Sequence, residues 1–261
     1  SDDKNFPPGK RQYTLDFAYH GGIYRDVWMI GKSSVAITDA LEADKVAGGG
    51  VFVHFDNISG KKAEVYVDTE VHNSGKRTRT VAVETVLADA GDVPVKRISQ
   101  QVKLQAGESK TVRQQFAVRN PKLWSPDSPY LYRIQSRVKA GHEVLDGGVT
   151  RVGIRKAEFK GKDGFWLNGK PFGQLVGANR HQDFAYVGNA LPNSQQWRDA
   201  KRLRDAGCTI IRVAHYPQDP AFMDACDEMG LFVIVATPGW QYWNKNPEFA
   251  KLVHRNTREM I

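Results

Sequence analysis

The chain has 261 residues, enough for two domains at roughly 100–200 residues each. Its 41% apolar and 25% charged residues are ordinary for a globular protein, and no run approaches the roughly 18 apolar residues of a membrane helix. Cys208 and Cys226 are too few for a disulfide framework, and the net charge of +8 is scattered over "GKRQY", "SGKKAE", "NSGKRTRT" and "GIRKAEFKGK" without a nucleic-acid recognition motif.

The first stretch, "SDDKNFPPGKRQYTLDF", has neither a basic start followed by an apolar core nor an initiator Met, so it carries no signal-peptide pattern. From Val27 to about Arg151 the chain reads as strands. "VFVHFDN", "AEVYVDTEVHNSG", "TVAVETVLADAG", "KRISQQVKLQAGES", "TVRQQFAV" and "YLYRIQSRVKAG" alternate apolar and polar residues, with Gly, Asn and Asp at the turns. About seven short strands over some hundred residues predict an antiparallel sandwich. Nothing in that stretch converges on chemistry.

After "TRVGIRKAEFKGKDGFWLNGKPF" the pattern changes. "FGQLVGA" reads as a short apolar strand. "NSQQWRDAKRLRDAG" reads as a helix, capped by Asn193 or Ser194, with Trp197, Ala200 and Leu203 as its apolar stripe and Gly207 at its end. "CTIIRVA" is a continuous apolar strand, as in a covered parallel sheet. "DPAFMDACDEMG" is a second helix, with Asp219 as cap, Pro220 in its first turn and Gly230 at its end. "LFVIVA" is a third strand, and "NPEFAKLVHRNTREMI" a third helix. This repeated β-α order predicts a parallel sheet, either small and open or the first part of a (β/α)₈ barrel, which needs about 250 residues when closed. An open sheet would leave an unpaired edge, which favours the barrel.

In both architectures function collects at the C-terminal ends of the strands. "NRHQD" (Asn179 to Asp183) follows the first strand, "HYP" from His215 the second, and "PGWQYW" (Pro238 to Trp243) the third. Histidines, an arginine, an asparagine and indole rings at one mouth suit a ligand rich in hydroxyls. Taken singly, each residue has a plainer reading: a histidine near a strand end is more often structural, and Trp240 could pack under a loop. A metal site from His181 and His215 lacks a carboxylate or third ligand at a fixed spacing. Asp224, Asp227 and Glu228 read as a solvated helix face, and there is no GxSxG, P-loop or HExxH.

"DFAYHGGIYRDVWMI", "NPKLWSPDSPYLYRI", "RVGIRKAEFKGKDGFWLNGKPFGQLVGANRHQD" and "IIRVAHYPQDPAFMDACDEMGLFVIVATPGW" resemble glycoside hydrolase family 2, the β-galactosidase/β-glucuronidase family, in order and through nearly the whole chain. The resemblance implies a multidomain β plus α/β chain. Residues 1–30 would be the last strands of a jelly-roll sugar-binding domain, 31–152 an immunoglobulin-like sandwich, and 153–261 the first βα units of a TIM-barrel catalytic domain. It implies that Asp16 reaches into the sugar site, and that His181 and His215 hydrogen-bond the sugar with Asn179 beside them. Arg212 would stand next to the nucleophile and hold it ionised, and Trp240 would border the pocket.

The function implied is that of a retaining exo-glycosidase, β-galactosidase-like, acting on a β-linked sugar. Such an enzyme uses two carboxyl groups about 5–5.5 Å apart. In the family both are glutamates on later strands, the acid/base in an Asn-Glu pair. No Asn-Glu dipeptide occurs in this chain, so the chain alone is expected to be inactive. A non-catalytic sugar-binding or scaffold protein derived from the family is the alternative. The third strand departs from the family by having Val235 and Ala236 where many relatives carry Asp-Glu, so neither a particular sugar nor a metal site carries over. No cofactor is assigned to this chain. The resemblance leaves room for a divalent cation and a homo-oligomer in the full-length enzyme, and slightly favours a periplasmic or extracellular location over a cytoplasmic one.

Overall fold

Alternation with period two puts every second side chain of a strand on the same face, and two such faces can close on each other. The computed structural model describes residues 22–238 and 245–260. Met29–Gln174 forms one compact unit, and the described residues from Leu175 onward together with residues 22–28 form the other.

In the first unit, β1 (Val35–Ile37), β2 (Val51–Asp56), β3 (Lys62–Asn73) and β6 (Ser109–Arg119) form one antiparallel sheet around β3. A four-residue helix, α1 (Ala40–Ala43), lies between β1 and β2. β5 (Pro94–Leu104), β4 (Arg79–Ala88), β7 (Tyr132–Ala140) and β8 (Glu143–Val152) form the second sheet in that spatial order. All six stretches with clear alternation are strands. β1 and β8 were not foreseen. β1 has only three residues, and β8 carries Gly147 and Gly148 and buries neither parity fully, so the periodic signal is lost there.

The inward residues form a sandwich core with a polar seam. Along β3 the order is Val65, Val67, Thr69, Val71. Along β4 it is Val83, Thr85, Leu87, along β6 Val112, Gln114, Phe116, and along β7 Ile134, Ser136, Val138. The apolar residues on either side of the seam belong to two separate clusters. Within the seam, Gln114 Nε2 donates to the Val83 carbonyl of the other sheet at 3.0 Å, so part of this buried polarity is satisfied across the sandwich. After β8 a small antiparallel sheet follows: β9 (Ala157–Phe159), β10 (Phe165–Leu167) and β11 (Lys170–Pro171).

In the second unit β12 (Gly177–Arg180), β13 (Ile210–Val213) and β14 (Phe232–Val235) are parallel neighbours in chain order. They alternate with α2 (Asn193–Asp205), α3 (Pro220–Met229) and α4 (Pro247–Glu259). Ile211 and Val213 pack with Ala200 of α2 and with Phe222, Ala225 and Cys226 of α3, and Val233 and Val235 border this cluster. The opposite face stays open, with Ile234 50% exposed. Strands added in order without reversal, with α2 and α3 packed on the same face, are the opening units of a (β/α)₈ barrel rather than of a doubly wound sheet.

The expected signals of α3 all hold. Asp219 accepts from Ala221 N at 2.9 Å, Pro220 opens the helix, and Gly230 ends it at φ 75°. α2 differs: its N-cap is Pro192, whose side chain has no acceptor, and Asn193 instead donates to Asp26 Oδ2 at 3.1 Å. The first strand also differs from "FGQLVGA". Gly173 has φ 86°, and Val176 N bonds the Thr209 hydroxyl, so regular pairing starts only at Gly177. A Cβ at Gly177 would fall 1.6 Å from the Ile210 carbonyl oxygen, so only glycine permits this approach of β12 to β13.

No described helix is long and apolar enough to cross a membrane. Burial pushes the Cys226 thiol up to about 12, with the neighbouring Asp227 acting in the same direction. At pH 8 this leaves a thiolate fraction of about 10⁻⁴. Native protein treated with iodoacetamide at pH 8 is therefore expected to leave Cys226 unmodified until urea unfolds it. Alkylation of the native residue at the rate of a free thiol would contradict this.

Candidate functional site

Parallel pairing lines up side chains from different strands. Asn179, Arg212 and Ile234 lie in one row across β12, β13 and β14, and Arg180, Val213 and Val235 lie in the next. The first row faces away from the helices and lines a concave surface together with Gly177 and Ile210. Asn179 is exposed there and Arg212 half-buried. The shift of β12 thus puts Asn179 and Arg180 inside the strand, where the sequence pattern had placed them after it.

Beyond that row, one residue past Arg180 and two past Val213, the two histidines meet. The His181 and His215 ring centroids are 5.2 Å apart with the planes at 80°, and Tyr216 lies 6.2 Å from His181. Both histidines are half-buried, and the Ala214–His215 peptide is cis. Burial raises the Tyr216 phenol above its ordinary value, opposed by a backbone hydrogen bond from Gln182. The phenol stays protonated and can both donate and accept. Asn179, Arg212, His181 and His215 are therefore brought to one end of one sheet. Asp16 and Trp240 lie outside the described residues.

Sequence reasoning missed what stands behind these groups. Arg180, 6% exposed, points to the helix side. Its Nη1 donates to Gln218 Oε1 at 2.5 Å, and its Nη2 to Gln196 Oε1 at 2.8 Å and Asp199 Oδ2 at 2.7 Å. The guanidinium also covers the Phe222 ring, 4.0 Å from its centroid. Gln218 Nε2 donates back to the Arg180 carbonyl. Gln182 Oε1 accepts from Asp219 N at 2.9 Å, and Arg25 Nη2 donates to the Pro217 carbonyl at 2.6 Å. The one available signal was an arginine and two glutamines in the strand-end segments "NRHQD" and "HYPQD".

Among the described residues no three His, Cys, Asp or Glu side chains are grouped to hold a metal ion. The carboxylates of these loops are Asp183, which is exposed, and Asp219, which caps α3. The surface can supply hydrogen-bond donors and acceptors and one cation. Among its described residues there is no pair of facing carboxyl groups of the kind that general acid and nucleophile chemistry on an acetal would need.

Two family models match consecutive parts of the chain: glycosyl hydrolases family 2 over residues 50–155, and glycosyl hydrolases family 2, TIM barrel domain, over residues 158–259. A β-galactosidase of Thermoanaerobacter pseudethanolicus is 33% identical over 264 residues, covering 99% of this chain and 32% of its own length. A putative β-glucuronidase of Formosa agariphila is 32% identical over 250 residues, covering 92% of this chain and 28% of its own. Among solved structures, Bacteroides uniformis β-glucuronidase 2 covalently bound to cyclophellitol-6-carboxylate aziridine superposes with a TM-score of 0.86 at 30% identity. That match covers 95% of this chain and 29% of the other. The chain spans about a third of the length of the curated relatives it matches.

Proposed function

Because the chain belongs to glycoside hydrolase family 2, we propose that it is one wall of the active site of a retaining exo-glycosidase that cleaves a β-linked sugar. The observation that carries this reading is the convergence of Asn179, Arg212, His181 and His215 at the C-terminal end of the parallel sheet. A neutral imidazole offers one donor and one acceptor, which matches a sugar hydroxyl that both gives and takes a hydrogen bond. His181 and His215 contact hydroxyls of the glycone, with Asn179 beside them. Arg212, paired with Asn179 two residues before His181, holds the carboxylate nucleophile in its ionised form.

The acid/base and nucleophile carboxyl groups come from parts of the longer protein outside residues 1–261. The covalent adduct described for the Bacteroides uniformis relative is in keeping with a nucleophilic, retaining route. A β-galactoside is the first candidate substrate, as named for the Thermoanaerobacter relative that matches almost all of this chain.

The test is to follow aryl β-galactoside and β-glucuronide hydrolysis by the full-length protein, reading the anomer of the first product by NMR. The expected result is a β-anomer as first product and faster turnover of the galactoside. Residues 1–261 alone are expected to give no hydrolysis above background. An α-anomer first, or no turnover of any β-glycoside by the full-length protein, would overturn the proposal.

A further inference from the structure

We infer that Arg180, Gln182 and Gln218 form a clasp whose role is to position His181 and His215, so that they are positioning residues of the glycosidase site; the inference rests on the function proposed above. In extended chain, residues 180 and 182 point to one side and residue 181 to the other. "Arg-His-Gln" therefore sends two gripping side chains toward the helices and the histidine toward the mouth.

What they grip is the segment that bears the second histidine. Before it, Ala214 N donates to the Arg180 carbonyl at 2.9 Å. After it, three successive residues each have a distant partner: Pro217 through Arg25, Gln218 through both ends of Arg180, and Asp219 through Gln182. Only His215 and Tyr216 lie between these anchors. The arrangement fixes both histidines from one buried hub, since Arg180 and Gln218 are 6% and 4% exposed. Asp199 and Gln196 of α2 hold the hub in turn. A helix-capping or packing role would account for Asp219 and Phe222. It gives no reason for Gln218 to bond both the guanidinium and the carbonyl of the same residue.

The experiment is a double-mutant cycle in the full-length enzyme with activated aryl β-glycosides. Gln218→Met and Gln182→Met each remove part of the clasp while the Arg180 guanidinium keeps its ion pair with Asp199. Each is expected to lower kcat/KM by about 10-fold, because small misplacements of contact groups are costly, and to lower Tm by a few degrees, because each leaves one buried donor without its acceptor. In a His181→Ala, His215→Ala background the same changes are expected to cost less than about 2-fold, since a group acting only through the histidines has nothing left to position. Equal costs in both backgrounds, or no cost in the wild-type background, would overturn the clasp. Arg180→Met also strips Gln196 and Asp199 of their partner and is expected to lower both activity and Tm further, so the glutamine variants decide the question. A wild-type enzyme inactive on every β-glycoside would instead remove the functional reading, a failure visible before any variant is made.

Discussion

Alanine in place of His215 is expected to lower kcat/KM of the full-length protein by about 10²-fold, or about 2.7 kcal/mol of transition-state stabilisation. The size follows from where the ring sits. His215 is half-buried against His181, so a hydroxyl that loses it faces a partly closed mouth rather than bulk water. An unpaired polar group in such a place costs the desolvation of that group as well as the lost bond. Stability should change little, because the packing of β13 is carried by Ile211 and Val213, both fully buried against the helices. His215→Asn, which keeps one donor and one acceptor on a shorter arm, is expected to recover part of the loss. Ile234→Ala, on the same concave face but with no polar atom, should stay within about 3-fold of wild type if packing alone is affected. Initial rates and a thermal melt for the three variants distinguish these outcomes. A His215→Ala enzyme within about 3-fold of wild type would show that the ring does not touch the sugar in the transition state.

The contrast between the two histidines and Arg180 marks how far the residues could be read in advance. Period-two alternation located β2 to β7, and it is plainest in β6 and β7, where every second residue is buried along most of the strand. It could not locate β8, where Gly147 and Gly148 replace the side chains that would carry the pattern. The α3 boundaries were legible because Asp219, Pro220 and Gly230 each act within their own turn. The α2 cap was not, because Asn193 turns to a residue 167 positions away instead of capping its helix. His181 and His215 could be placed at strand ends from local pattern alone, whereas their proximity depends on parallel register. The clasp was invisible for a related reason. Glutamine and arginine have no periodic signature, and the bonds of Gln218 and Gln182 span 38 and 37 residues.

Trp124→Ala is the substitution expected to damage the sandwich unit most, by about 3–5 kcal/mol, a large part of the 5–15 kcal/mol that holds a typical domain together. Trp124 belongs to "NPKLWSPDSPYLY", one of the stretches that resembles the family, yet it lies in no catalytic surface. It is 1% exposed, its N–H bonds the Ile154 carbonyl at 2.8 Å, and its own carbonyl accepts from Asn168 Nδ2 at 3.0 Å. Arg155 covers the ring, 4.8 Å from the centroid. The opposite wall is Gly153, where an added Cβ would stand 2.9 Å from Trp124 Cγ. The indole therefore fills its space against a bare backbone, and that predicts a coupled pair. Gly153→Ala alone should destabilise by about 1–3 kcal/mol through overpacking. In the Trp124→Ala background the same alanine enters the vacated space and should cost close to nothing, giving a coupling of the same size as the single effect. Urea denaturation of the four proteins measures it. Additive costs would mean that Gly153 is required for its backbone and not for the room it leaves to Trp124. Loss of the coupled term would then assign this stretch of the family resemblance to something other than the packing of one indole, while a clear coupling identifies it as a record of how the sandwich closes.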